Sequence, residues 1–95
     1  MNLAVAWTDD AKATFEYTVN QIESKWGLGS AEKFVRSANK TIHTISVQPY
    51  IFKASFAQNI RQAFISKQTS MFYEVNASHI AILFFWDNRQ EPFSD

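Results

Sequence analysis

Apolar residues along this chain follow two different periods, and the change falls near Pro49. In the first half, Ala11, Phe15, Val19, Ile22 and Trp26 recur every three or four residues, which is the spacing of one helix stripe. Thr8 stands where a side-chain oxygen can cap that helix, and Asp9 and Asp10 suit the positive end of its dipole. Gly27 reads as the C-terminal stop. Ser30 reads as the cap of a second helix with the stripe Ala31, Phe34, Ala38, Ile42 and Ile45, and Pro49 prevents it from going further. Two helices this close in sequence predict an antiparallel hairpin. Ahead of them, Leu3 to Trp7 ("LAVAW") reads as a short strand.

Between Pro49 and Asn59 no clean period appears, and Tyr50, Ile51, Phe52 and Phe56 predict an apolar loop packed down on the core. The last third switches to strand patterning. Ile60–Ile65, Met71–Val75 and Ile80–Trp86 are three strand-like runs separated by the turn-like breaks "SKQTS" and "NASH", which predicts an antiparallel meander. The third run is apolar on both parities, so it is expected to be central and covered on both faces. The order is strand, helix, helix and three strands, a single α+β domain over residues 1–95.

Composition narrows the function. The 95 residues suffice for one modest core, and nine Phe, three Trp and three Tyr make it rich in aromatics. Some of Tyr50, Phe52, Phe56, Phe85 and Trp86 could form an exposed apolar groove of the kind that marks partner sites; the alternative is a well-filled core. There is no cysteine, which excludes disulfides, thiolate metal sites and cysteine nucleophiles. Two isolated histidines make a poor metal site. With two glycines there is no glycine-rich phosphate loop, so no cofactor is indicated. Nine basic residues balance nine acidic ones, which lowers the odds of a large phosphate footprint. The N-terminus lacks a basic n-region, the longest apolar run is far too short for a membrane span, and a cytoplasmic protein is expected. The sequon Asn76-Ala77-Ser78 then has no use.

The succession "VAWTDDAKATFEYTVNQIESKWG", "AEKFVRSANKTIHTISVQP", "IRQAFISKQTSMFYEV" and "IAILFFWDNRQEP" resembles the RelE/ParE toxin superfamily over nearly the whole chain. The most specific parts are the Trp7-Thr8 entry into the first helix, the Gln48-Pro49 exit from the second, the Arg61 strand followed by Phe72-Tyr73, and the closing segment Asp87 to Pro92. The resemblance implies the toxin of a bacterial toxin–antitoxin, or plasmid stabilisation, module, held inactive by a cognate antitoxin whose extended tail wraps it. RelE-like members cleave messenger RNA in the ribosomal A site; ParE-like members inhibit DNA gyrase.

In the RelE-like case the resemblance makes Arg89 a contact to the scissile phosphate and Arg61 a second candidate on the concave surface the family uses, with Lys53 and Lys67 matching basic positions loosely. Taken alone, each is as readily a solvated or ion-paired side chain, Arg89 with Asp87 or Glu91. Arg61 has parity opposite to Ile60 and Phe64, which predicts that it faces away from the helices. Arg61, Arg89, Phe85 and Trp86 are also candidates for partner binding. Cleavage further needs groups that move protons. RelE-like enzymes supply a Tyr or His in the C-terminal segment, where this chain has Phe93; Tyr73, His43 and His79 lie elsewhere. The ParE-like reading, with a protein target, is therefore expected over the nuclease; a degenerate member that binds an antitoxin without toxicity is the third reading.

Overall fold

The computed structural model describes residues 2–57 and 59–90, without the side chains of residues 55–57. Phe93, Glu91 and Pro92 lie outside the described residues, as does the side chain of Phe56. The elements are β1 (Ala4–Trp7), α1 (Asp9–Trp26), α2 (Leu28–Val47), β2 (Ala54–Ala57), β3 (Ile60–Phe64), β4 (Thr69–Val75) and β5 (His79–Asp87). The strands form one five-stranded sheet in the order β1-β5-β4-β3-β2. β1 runs parallel to β5, and the remaining pairs are antiparallel. The expected strand, helical hairpin and three-stranded meander are all present.

The helices meet at one residue. Gly27, at φ 96°, ends α1 with its N–H on Glu23 O and begins α2 by accepting from Ala31 N. That positive φ is open to glycine at little steric cost. Chain reversal therefore takes one residue, and Ser30, expected as the cap, lies inside the first turn of α2. Trp26, expected in the buried stripe, is 63% exposed because the stripe's last position falls at this turn. Val19 and Val35, equidistant in sequence from Gly27, line the same groove, as antiparallel packing requires. Ala31 and Ala38 are fully covered, and such small side chains suit a closely packed helix face.

β2 was not foreseen. It is four residues long, and its register with β3 shifts between Ala54 and Ala57, which erases the two-residue period that would reveal it. β5 is interior, flanked by β1 and β4, but its double-sided apolar pattern has a different cause from the one expected. Phe72 pairs with Phe84 and Tyr73 with Ile82, so Leu83 is an extra residue in β5. This bulge inverts the phase. Ile80 and Ile82 face the helices before it, Phe85 after it, and the other positions of the strand are only half-buried. β4 is the strand buried at both parities.

Phe85 packs beneath α1 in an aromatic cluster. Its ring stacks 5.7 Å from Trp7 and lies 5.1 Å from Phe15, which in turn lies 5.8 Å from Phe34. Beside the bulge, Thr8 does more than cap α1. Its hydroxyl accepts from Ala11 N at 3.0 Å and stands 2.9 Å from both the Ile82 and Leu83 carbonyl oxygens, sharing one proton between them. Thr14, one and a half turns along, accepts from Phe85 N at 2.9 Å.

Thr8→Val keeps the side-chain shape and removes these bonds. Loss of the cap costs about 1 kcal/mol, and a deprived, partly buried carbonyl adds a similar amount. We expect urea unfolding to show a loss of about 2 kcal/mol, largely restored in Thr8→Ser; an unchanged midpoint for Thr8→Val would refute this role.

Candidate functional site

Arg61 lies on the helix-side face of β3, not on the opposite face. It shares the parity of buried Ala63, and its cross-strand partner is Tyr73 of the core. The sequence reading assumed that the large Phe64 pointed inward, but Phe64 is 61% exposed and small Ala63 sits under the helices. Arg61 Nη1 donates to the Phe52 carbonyl at 2.6 Å, and the guanidinium carbon lies 4.8 Å from the Tyr50 ring centre. Its Nε is buried and makes no hydrogen bond among the described residues. Next to it, the Tyr73 hydroxyl donates to the Pro49 carbonyl at 3.0 Å. Two neighbouring side chains thus each hold a carbonyl of the connection between α2 and β2. Burial pushes the Tyr73 phenol up from 10.0 to about 12, against the opposing pull of the Arg61 charge. A phenol this reluctant to ionise is a poor proton carrier near neutral pH.

Arg89 sits past the far end of β5. Asp87 accepts from its backbone N at 2.9 Å, from Nε at 3.0 Å and from Nη2 at 2.9 Å. The hydrogen bond from Arg89 lowers the Asp87 carboxyl below its ordinary value, and Asp87 in return raises the guanidinium. The pair borders a cleft of about 210 Å³ between the later half of α1 and the turn joining β3 to β4, lined also by Lys25, Trp26 and Tyr17.

The two arginines are not brought together. Arg61 is level with Tyr73, while Arg89 follows Asp87, which is level with Thr69. Four residues along β4 separate these levels by about 13 Å at ~3.3 Å per residue. Lys53 and Lys67 are exposed, one before β2 and one in the turn after β3. Phe85, expected among partner-binding candidates, is 3% exposed and belongs to the core, because the bulge turns it inward. Trp86 is half-buried on the opposite face. There Phe72 and Phe84 stack at 4.8 Å, and Gln62 donates to Ser70, which donates to Asn88. His79 is engaged by Asn76 and Ser78 in the turn before β5, and His43 is exposed on α2. Among the described residues no group of three or more acidic or histidine side chains could hold a metal ion, and no helix is long and apolar enough to cross a membrane.

A further concavity lies along the helical hairpin. A groove of about 580 Å³ is lined by Trp7, Phe15, Val19 and Val35, with Lys12 and Glu16 on its rim. It continues into a second hollow of about 370 Å³, where Val19 and Val35 meet Leu28 and Ala31. Phe15, Val19 and Ile22 are only half-covered by the fold. Sequence reasoning weighed a groove among some of Tyr50, Phe52, Phe56, Phe85 and Trp86 against a well-filled core, and Phe85 does belong to the core; the signal for the hairpin groove was Val35, an apolar residue just off the main stripe of α2.

These features define an α+β protein with a helical hairpin on one face of a mainly antiparallel sheet and an incompletely covered first helix. No protein-family model matches the sequence, and no characterised protein matches it in a sequence search. Solved structures do match. A chain of the chromosomal ParDE TA system from P. aeruginosa is 18% identical, with 90% of this chain and 95% of that one aligned at a TM-score of 0.75. The YoeB dimer from Staphylococcus aureus gives 15% identity, coverage of 88% and 94%, and a TM-score of 0.63. The E. coli DinJ-YafQ toxin-antitoxin complex gives 5%, 94% and 96%, and 0.64. The fold is that of the RelE/ParE toxin superfamily.

The raised Tyr73 pKa carries a testable sign. Unfolding lets the phenol ionise near its ordinary value, so its contribution is complete below pH 10.0 and is lost as the pH climbs to about 12. We expect stability to fall over that window, and the fall to be shallower in Tyr73→Phe. Parallel curves for the two proteins in pH-dependent urea titrations would contradict the placement of this hydroxyl.

Proposed function

We propose that this chain is the toxin of a type II toxin–antitoxin pair, acting in the ParE manner on a protein target such as DNA gyrase and neutralised by a cognate antitoxin. The fold shared with toxins of such pairs supports the general role. The separation of Arg61 from Arg89 is the observation that favours a protein target. A phosphoryl transition state needs cationic donors converging on one phosphate. Arg61 directs Nη1 to a loop carbonyl, and Arg89 is folded against Asp87. Tyr73 is buried with a raised pKa, and residue 93 is a phenylalanine. The second reading is a nuclease using Arg61, Arg89, Lys53 and Lys67 on ribosome-bound messenger RNA, as the resemblance to RelE-like members implies.

The hairpin groove is the surface we assign to the antitoxin. Half-covered Phe15, Val19 and Val35 form a contiguous apolar strip with charged rims, the usual make-up of a protein-docking face. A charge at Val35 would sit in that strip without touching the core cluster. We expect Val35→Lys to weaken antitoxin binding by about tenfold or more while unfolding free energy changes by less than ~1 kcal/mol; isothermal titration and urea unfolding read the two quantities separately.

Inducing the chain alone in bacteria, with DNA replication and translation followed in parallel, decides between the targets. The expected result is arrest of replication first, with no codon-phased cuts in primer-extension maps of transcripts. Strong phased cuts abolished by Arg61→Ala or Arg89→Ala would instead establish the nuclease.

A further inference from the structure

The cleft holding Arg89 contains groups that neither the core nor the hairpin groove uses. Asp87 takes three hydrogen bonds from Arg89, and the turn is closed again by Gln90 N on the Asp87 carbonyl at 3.1 Å. An arginine at a strand end ordinarily samples many rotamers. Here its backbone and side chain are pinned to one carboxylate. Pairing through Nε and Nη2 occupies one edge of the guanidinium, which leaves Nη1 and the second proton of Nη2 on the other edge for another acceptor. The side chain is 51% exposed, so that edge is reachable.

The surroundings restrict what the acceptor is. Lys25 lines the same cleft and lowers Asp87 by its charge. Lys25 and Arg89 against Asp87 leave one net positive charge, which suits a single monoanion. A volume of about 210 Å³ is below the ~300–1,000 Å³ typical of small-molecule sites, so it holds a side chain and not a free nucleotide. Tyr17 and Trp26, each 63% exposed, give the cleft apolar walls. Large exposed aromatics beside a desolvatable charge pair are the usual make-up of a protein-binding hot spot.

We propose that this cleft is a clasp for one carboxylate side chain of a partner polypeptide. Arg89, aimed by Asp87, takes the carboxylate on its free edge, Lys25 adds the second cation, and Trp26 and Tyr17 cover apolar residues flanking the acid in the partner. A phosphodiester carries the same single charge, but one cleft of net charge one in a chain of zero formal charge offers a nucleic acid only an isolated contact. Residues 12, 15, 16, 19 and 20 of α1 serve the hairpin groove, and residues 17, 18, 21, 22, 25 and 26 serve this cleft. One partner segment crossing α1 can therefore engage both.

The test uses the full chain, labelled with ¹⁵N, and three probes: acetyl-Leu-Glu-Leu-Leu-amide, the same peptide with Gln in place of Glu, and the dinucleotide UpU. The Trp26 indole and Arg89 Nε resonances report on the cleft, the Trp7 indole reports separately on the hairpin groove, and the Trp86 indole is the internal control. The Glu peptide is expected to saturate shifts at Trp26 and Arg89 with a dissociation constant on the order of 1–10 mM. The Gln peptide should bind about tenfold more weakly, and Arg89→Gln should lose the same factor with the rest of its spectrum unchanged. Equal binding of the Glu and Gln peptides, no shift at either reporter, or tighter binding of UpU than of the Glu peptide would overturn the clasp. The clasp serves the partner proposed above, but the peptides carry no antitoxin sequence. A failed titration leaves antitoxin binding at the hairpin groove standing, and a failed antitoxin complex leaves the titration readable.

Discussion

β5 outruns β1. The two pair in parallel from Ala4 opposite His79 to Trp7 opposite Ile82, and then the chain of β1 turns into α1 while β5 continues to Asp87. From Leu83 onward the edge that β1 covered needs other partners, because partly buried backbone groups are costly to leave unmatched. Thr8 and Thr14 supply them, at the Ile82 and Leu83 carbonyls and at the Phe85 N–H. α1 is therefore hydrogen-bonded to the sheet by its own first turns. The same bonds stand beside the bulge, which turns Phe85 under the helix against Trp7 and Phe15. The hairpin, its groove and the later cleft take their places from that attachment.

A helix tethered at its start is free to be only partly covered further on. α1 buries Ala11 fully and leaves Phe15, Val19 and Ile22 half-exposed, whereas α2 buries Ala31, Phe34, Ala38 and Ile45. The first helix lies on β5 through Ala11 and Phe15, the second packs its buried stripe mainly against the first, and the first still presents apolar surface on both flanks. Such surface in a small chain of zero formal charge is more readily explained by a protein partner than by nucleic acid.

The two arginines show how one residue type is used in opposite ways. Arg61 is half-buried, and with Tyr73 it fastens the connection between α2 and β2 through the Phe52 and Pro49 carbonyls. That fastening is a structural use of a cation, since the donor is consumed within the chain. Arg89 is exposed and held by a carboxylate that fixes its direction without covering it. Its ion pair adds little to stability at such exposure. What the pairing does is reduce the number of conformations the guanidinium must give up on binding.

Periodicity alone carried the helices, the meander, the Thr8 cap and the α+β order, because each depends on neighbours within four residues or on the two-residue alternation of a strand. Three features escaped it for reasons of the same kind. β2 is too short and too irregular to display a period. The bulge at Leu83 inserts one residue and so turns a one-faced strand into an apparently two-faced run. Arg61 was assigned to the wrong face because Phe64 outweighs Ala63 in hydrophobicity, while the packed core takes the smaller side chain and leaves Phe64 exposed. The sequence by itself thus determined every element but β2, their order and the pairing of Arg89 with a nearby acid as one open alternative. Only the tertiary structure decided which face each strand turns inward, that Arg61 and Arg89 lie at different levels of the sheet, and that the apolar groove runs along the hairpin. Those facts depend on contacts between residues far apart in the chain, and no local spacing records them.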